Sequence, residues 1–253
     1  MLPSDGLKTP RVDTETDGKV SILTLNAPPA NVFSSAMIDA LNTACRNLPE
    51  ETAVLIITGA GQHSFSAGLS IVEQDQNSEE ENRAFFLRLY GMLDMIYQLP
   101  FPVIAALNGY TLGGGFELAL SSDIRIADET AVMGAVGVTL GLVFSTQRLA
   151  RLVGYGRAKE LLFTGRRLGA REAQQLGLVE YVVPAGTALS QARKLAAQIA
   201  NQDPYNLQAI KKAVNQGLNL ELNQGLEVER RYLFEMLKTD NYRQRIKKFV
   251  EKR

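Results

Sequence analysis

The sequence predicts an α/β fold with parallel strand pairing, on three observations. Ala53–Thr58 (AVLIIT) and Val103–Leu107 (VIAAL) are short apolar runs that read as buried strands. Helical patterns follow them, and strands alternating with helices favour parallel crossover units. After Pro184 the strand signals stop and helical patterns run almost to the end. The expected division is therefore a core over residues 1–184 and a helical region over 185–253.

The elements follow in order. Lys19–Leu25 (KVSILTL) alternates and is rich in β-branched residues, which predicts a strand. Met37, Ile38, Leu41 and Leu48 fall near helical spacing in Ser35–Leu48. Ser78 and Glu81 fit a capping box, in which each side chain satisfies a free amide of the first turn. The helix they open carries Phe86, Tyr90, Leu93 and Tyr97 as one stripe, and Leu99-Pro100-Phe101-Pro102 stops it. Beyond the Val103 strand, Phe116–Leu120 opens a helix and Asp123–Asp128 (DIRIAD) alternates as a short strand. Leu161–Leu178 reads as helix, turn, helix, and Leu178–Val183 returns as a strand. Helices are expected over Leu189–Ile199, Asn206–Val214, Leu220–Leu237 and Tyr242–Val250.

Composition narrows the function. The 253 residues are 45% hydrophobic and 21% charged, which suits a folded chain and excludes disorder. Lys plus Arg and Asp plus Glu are 27 each, so the balance disfavours a nucleic-acid binder. The last 53 residues hold 11 basic and 7 acidic side chains, read first as a solvated helical face and otherwise as a contact for an anionic ligand or a neighbouring subunit. A single cysteine, Cys45, excludes an internal disulfide, and a single histidine, His63, excludes a multi-histidine metal site. No metal and no permanently bound cofactor are expected. No apolar run reaches the roughly 18 residues of a membrane span. The polar N-terminus carries Asp5, Asp13, Glu15 and Asp17, unlike a secretory or transit peptide, so a cytoplasmic location and no membrane partner are expected.

Three glycine-containing segments are candidates for chemistry. Gly59-Ala60-Gly61 begins like a dinucleotide fingerprint, but position 64 is serine and no helix opens there, so a tight turn is the better reading. Ser66-Ala67-Gly68-Leu69-Ser70 is either a tight turn before a helix or a loop that brings an amide to a ligand. Asn108–Glu117 (NGYTLGGGFE) is the strongest signal. Three glycines at a helix start cost backbone entropy and are justified where backbone must approach a ligand closely. Free first-turn amides and the helix dipole favour an anion there. Glu117 lies one turn in, where a carboxylate could cap amides or act as a general base.

At these residues the chain resembles the crotonase superfamily, the enoyl-CoA hydratases and isomerases. Phe65-Ser66-Ala67-Gly68-Leu69 is similar to its first oxyanion loop. Asn108-Gly109 with Gly113-Gly114-Gly115-Phe116-Glu117-Leu118-Ala119 is similar to the second. Asp123–Ala127, Thr146-Gln147-Arg148-Leu149, Val153-Gly154, Ala158–Gly165, Ala170–Val183 and Phe249–Arg253 follow in the family order, so the resemblance spans about residues 18–253. It implies a spiral of ββα turns with a helical C-terminal trimerisation region, assembling as a homotrimer or dimer of trimers. It implies acyl-CoA substrates, with coenzyme A as part of the substrate. The amides of Leu69 and Gly114 would hold the thioester oxygen as an enolate, and Glu117 would be the acid/base. Ala30, Val32, Ala67 and Ile71 would contact the CoA or its thioester arm.

One departure bears on the reaction. Hydratases carry a second glutamate before the Thr146 helix, and Gly137 falls at that position here. The Leu142–Ser145 loop is also about three residues short, and Ser70 stands where the first loop often has an acid. One carboxylate suffices to move a proton between two carbons, so isomerisation or other enolate chemistry is preferred over efficient hydration. Asp123 and Asp128 are not expected to replace the lost acid, and Tyr110 is read as a rim phenol. A CoA-thioester binding protein with little or no catalysis is the alternative. A serine hydrolase using Ser66 or Ser70 with His63 is disfavoured, because neither serine has a nucleophile-elbow sequence.

Overall fold

Strand pairing begins with a hairpin that the sequence reading passed over. In the computed structural model, which describes residues 9–251, β1 (Arg11–Asp17) pairs antiparallel with β2 (Val20–Asn26), Asp17 facing Val20. Asp5 and the Lys252-Arg253 end of the closing motif lie outside the described residues. All of β1 except Val12 is exposed, so no buried face marked it in the sequence. Its signal was Asp17-Gly18, a hairpin dipeptide, with Gly18 at φ +56°.

Three turns then follow one plan. β3 (Val54–Gly59) and β4 (Ser64–Ser66) lead into α2 (Ile71–Gln76) and α3 (Glu79–Gln98). β5 (Val103–Leu107) and β6 (Tyr110–Leu112) lead into α4 (Gly114–Ser121). β7 (Ile124–Asp128) and β8 (Val132–Gly134) lead into a 3-10 turn (Val136–Leu140), α5 (Thr146–Val153) and α6 (Tyr155–Thr164). An earlier helix, α1 (Ser35–Arg46), follows β2. β9 (Leu168–Gly169), α7 (Ala170–Gln175) and β10 (Tyr181–Val183) complete the sheets. α8 (Ala188–Ala200), α9 (Pro204–Gly217), α10 (Leu222–Leu237) and α11 (Asp240–Glu251) end the chain.

The first strand of each turn enters a six-stranded sheet, β1-β2-β3-β5-β7-β10, parallel from β2 onward. The second strand enters a four-stranded sheet, β4-β6-β8-β9, whose last strand is antiparallel. This is the expected spiral of ββα turns with helices after it. Its consequence for function is local: successive turns start their helices at the same edge, so the loops after β4 and β6 stack.

Alternation on the large sheet sorts its side chains. Leu23, Leu55, Ile57, Ala105 and Ala127 face the main core with Phe33, Phe65, Phe116 and the α1, α3 and α4 faces. Ile22, Val54, Ile56, Ile104 and Ile126 face the other way, onto α8. There Ala188, Ala192 and Ala196 repeat every four residues, giving α8 a small-residue stripe that sits close on the sheet.

The capping box at Ser78 and Glu81 is present, with Ser78 N donating to Glu81 Oε2 at 2.7 Å and Glu81 N to Ser78 Oγ at 3.2 Å. The stripe assigned to this helix needs correction. The face buried in the core is Phe85, Leu89, Met92, Leu93 and Ile96. Of the expected stripe only Leu93 belongs to it. Phe86 and Tyr90 instead meet Phe144, with ring centroids 6.4 and 5.3 Å apart. The segment read as helix, turn, helix also holds β9, whose two residues are too few for periodicity to register. The same holds for the three-residue strands β4, β6 and β8. No described helix is long and apolar enough to cross a membrane.

Candidate active site

The two glycine loops meet because the spiral stacks them, and side-chain amides lock the stack. Asn108 at the end of β5 donates to Gly59 O at 2.9 Å and Gly61 O at 2.8 Å. It also accepts from Gly59 N at 3.2 Å. Asn31 does the same one turn earlier, donating to Ala60 O at 3.0 Å and Ser64 O at 2.8 Å. Sequence reading missed Asn31, which is buried in a left-handed conformation (φ +52°). Gly59-Ala60-Gly61 is a strand-to-strand turn, and no helix begins there.

The contacts between the loops are backbone on backbone. A Cβ on Gly115 would stand 2.3 Å from Ser66 O and 2.7 Å from Ser66 Cβ. Glycine at 115 is thus a steric requirement of this approach. Gly113, at φ +52° and ψ −115°, turns the chain into α4 and donates to Gly134 O at 3.1 Å. Leu69 and Gly114 are brought together: a Cβ on Gly114 would lie 3.1 Å from Leu69 Cδ2 and 3.8 Å from Gly68 C. The parallel bridge between Phe33 and Leu69 uses the flanking groups, Phe33 N to Gly68 O and Ser70 N to Phe33 O. Among the described residues, neither the Leu69 amide nor the Gly114 amide donates to a protein acceptor. Two such amides on adjoining loops, one at a helix start, are the kind of donors that an oxyanion requires.

Glu117 sits on the buried face of α4, 2% exposed. Its carboxylate does not cap the helix; Gly113 is the N-cap and receives no side-chain bond. Instead Arg148 Nη1 on α5 donates to Glu117 Oε2 at 3.1 Å, and Arg148 Nη2 donates to Asp94 on α3 at 2.6 Å. Oε1 is buried and makes no hydrogen bond among the described residues. Burial raises the Glu117 pKa above the ordinary glutamate range, while Ser145 and Arg148 oppose that rise. Ser145 Oγ is likewise buried without a partner. The hydroxyl and the carboxylate are neighbours.

Arg148 is the counter-charge that a buried carboxylate needs. In Arg148→Met, Glu117 is expected to ionise at higher pH and the acid limb of kcat/KM to move up. The stability cost near neutral pH should be about 3 kcal/mol, the low end for a buried pair because Arg148 keeps 23% of its side chain in solvent. It should shrink at low pH, where a protonated Glu117 needs no cation. Thermal melts and rate profiles across pH check both; a cost independent of pH would show that Arg148 acts through packing alone.

The remaining expected residues spread around this centre. Ala67 N donates to Ala30 O at 2.9 Å, so these two share one edge of the first loop. Val32 is half-buried just before Phe33, and Ile71, the first residue of α2, is 50% exposed. Gly137 lies in the 3-10 turn, where a Cβ would meet Leu142 O at 3.4 Å and Phe144 Cβ at 3.6 Å. Those are ordinary contacts, so glycine is not forced there by crowding.

Several side chains have structural assignments. Asp123 accepts from Lys211 Nζ and from Val103 N, both at 2.7 Å. Asp128 caps α8 through Thr187 N at 3.0 Å and Ala188 N at 2.8 Å. Ser70 caps α2, and Ser66 Oγ accepts from Gly68 N at 3.4 Å. His63 is exposed, and no bond between it and either serine occurs among the described residues, which removes the hydrolase arrangement. Cys45 is buried in α1 with its thiol pushed up to about 12 by desolvation, so it is not a nucleophile.

Known proteins resemble this chain in sequence and fold. A family model described as enoyl-CoA hydratase/isomerase matches residues 15–253. The short-chain-enoyl-CoA hydratase of Clostridium acetobutylicum is 36% identical over 245 residues, covering 94% of each chain. The enoyl-CoA isomerase/hydratase fer4 of Mycosarcoma maydis is 40% identical over 204 residues, covering 79% of this chain and 74% of fer4. Among solved structures, an enoyl-CoA hydratase from Bacillus anthracis superposes with a TM-score of 0.92 at 38% identity, covering 97% of both chains.

Proposed function

The chain belongs to the enoyl-CoA hydratase/isomerase family of acyl-CoA enzymes, within the crotonase superfamily, and from that premise we propose that it catalyses enolate chemistry with Glu117 as the acid/base. The observation that carries this is the buried Glu117 carboxylate, with one oxygen held by Arg148 and the other without a partner among the described residues, one helical turn from the Gly114 amide. The Leu69 and Gly114 amides hold the thioester oxygen. Glu117 takes the proton from the neighbouring carbon, and charge moves onto the thioester oxygen as the enolate forms. Returning that proton to a carbon further along the chain shifts the double bond.

Isomerisation or a related enolate step is preferred over efficient hydration. The support is that, among the described residues, no second carboxylate pairs with Glu117: Gly137 offers none, and Asp94 is bonded to Arg148. Ala30, Val32, Ala67 and Ile71 line the CoA side of this reading. The test is incubation with crotonyl-CoA and a 3-enoyl-CoA in heavy water, followed by mass spectrometry. Deuterium next to the thioester, lost in Glu117→Gln, supports the assignment. Thioester binding with no exchange from either substrate would instead leave a CoA-thioester binding protein.

The 185–253 region serves self-association into a trimer or dimer of trimers in this reading, and residues 1–184 carry the chemistry. Support comes from α10 and α11, which expose Leu222, Leu233, Phe234 and Val250. Such a run of apolar side chains is costly to leave in water. Light scattering should give three or six times 27.7 kDa. Leu233→Glu with Phe234→Glu should reduce that mass; a parent that runs as a monomer would refute the assembly.

A further inference from the structure

Among the described residues, two buried side-chain oxygen atoms lack hydrogen-bond partners and belong to neighbouring groups: Glu117 Oε1 and Ser145 Oγ. Both residues are more than nine-tenths buried, at 2% and 6% exposed. Buried polar atoms are almost always paired, so two neighbouring orphans mark a shared ligand atom. Ser145 has a second peculiarity. It occupies the N-cap position of α5, where serine ordinarily accepts from a first-turn amide, yet it makes no capping bond. It also adopts a left-handed conformation, φ +63° and ψ +11°, which favours glycine. The position thus holds a strained residue whose hydroxyl serves neither the helix nor the core. Strain of this kind collects at functional sites.

Resting on the reading of Glu117 as acid/base, we infer that Ser145 is a catalytic residue: its hydroxyl and Glu117 Oε1 together hold one water oriented for addition to a 2-enoyl thioester. Two neighbouring buried oxygens without a protein partner among the described residues are what one bridging water would satisfy. Oε1 accepts one hydrogen of that water. Ser145 Oγ accepts the other, which stays on oxygen throughout. Addition forms the C3–O bond, and the double-bond pair moves toward the thioester to give the enolate. The transferred proton passes to Oε1, and the same carboxyl then delivers it to C2. One water is added, Glu117 is regenerated, and Ser145 never changes its protonation. The single carboxylate thereby retains hydratase activity beside its carbon-to-carbon proton transfer, with Ser145 supplying the orientation that Gly137 cannot.

The test compares Ser145→Ala and Ser145→Gly with the parent in two assays on one sample set: hydration of crotonyl-CoA, and deuterium exchange next to the thioester of a saturated acyl-CoA. The glycine variant relieves the left-handed backbone and should melt no lower than the parent, so its losses are not failures of folding. Both variants are expected to lose at least tenfold in hydration relative to exchange, in kcat more than in KM. Glycine-variant hydration at the parental rate would overturn the inference, as would a parent that exchanges deuterium but adds no water. A parallel fall in both activities with a lowered melting temperature would also overturn it, making Ser145 structural. Exchange that survives in Glu117→Gln would instead remove the reading beneath the inference, so the two failures are distinguishable.

Discussion

Glu117→Gln is expected to slow proton exchange next to the thioester by about 10²–10⁴-fold while leaving CoA-thioester affinity nearly unchanged. The amide is close in volume to the carboxylate, and the Leu69 and Gly114 amides are untouched. The substitution removes only a group able to carry the proton, so kcat should fall and KM should stay. The pH dependence follows from the same burial. The Glu117 pKa is raised, chiefly by desolvation, so the folded protein holds this proton more tightly than the unfolded chain does. Its contribution to stability is full below the ordinary glutamate value of about 4.3 and is lost as pH rises through the folded value. Glu117→Gln abolishes that loss. Its melting temperature relative to the parent should therefore climb across that window, while the parent's exchange rate climbs with the appearance of the base. Equal exchange in parent and variant would remove Glu117 from the chemistry. A stability difference that stays flat with pH would show that its pKa is not raised.

How much of this was legible in the sequence depends on how local each feature is. The glycine loops were legible because close backbone approach leaves only glycine, and Gly113-Gly114-Gly115 stands in one short stretch. The strands at Val54 and Val103 were legible because burial on both faces makes them uniformly apolar. The site around Glu117 was not. Arg148 and Asp94 are separated by 54 positions, and Arg148 lies 31 from Glu117, so no spacing rule joins them. The expected stripe on α3 failed for a related reason. That helix has two apolar faces, one in the core and one meeting Phe144, and periodicity does not say which is buried. Ser145 left no signal at all, since a serine before Thr-Gln-Arg-Leu reads as an ordinary cap. β1 was missed because an exposed edge strand has no buried alternation to display.

Gly115→Ala tests whether stacking of the loops is what builds the oxyanion site. Its Cβ would meet Ser66 O at 2.3 Å, Ser66 Cβ at 2.7 Å and Ser66 C at 2.9 Å, and most of that obstacle is backbone. No rotamer change relieves such a contact, so α4 must move away from the loop after β4. Overpacking commonly costs 1–3 kcal/mol, and a backbone clash belongs near 3. At about 2–4 °C per kcal/mol for a chain of this size, the melting temperature should fall by roughly 6–12 °C. The displacement also separates the Gly114 amide from that of Leu69. Loss of one donor to a developing oxyanion costs about 10²–10³ in kcat, so exchange per folded molecule should fall by that factor even well below the new melting temperature. Gly156→Ala is the control, in a helix with nothing within 4 Å of the added methyl, and should leave both stability and rate at or above the parent. A Gly115→Ala protein that melts early but exchanges at the parental rate would separate the two roles. The glycine would then belong to the stacking alone, and the thioester oxygen would have to be held by donors other than the Leu69 and Gly114 amides.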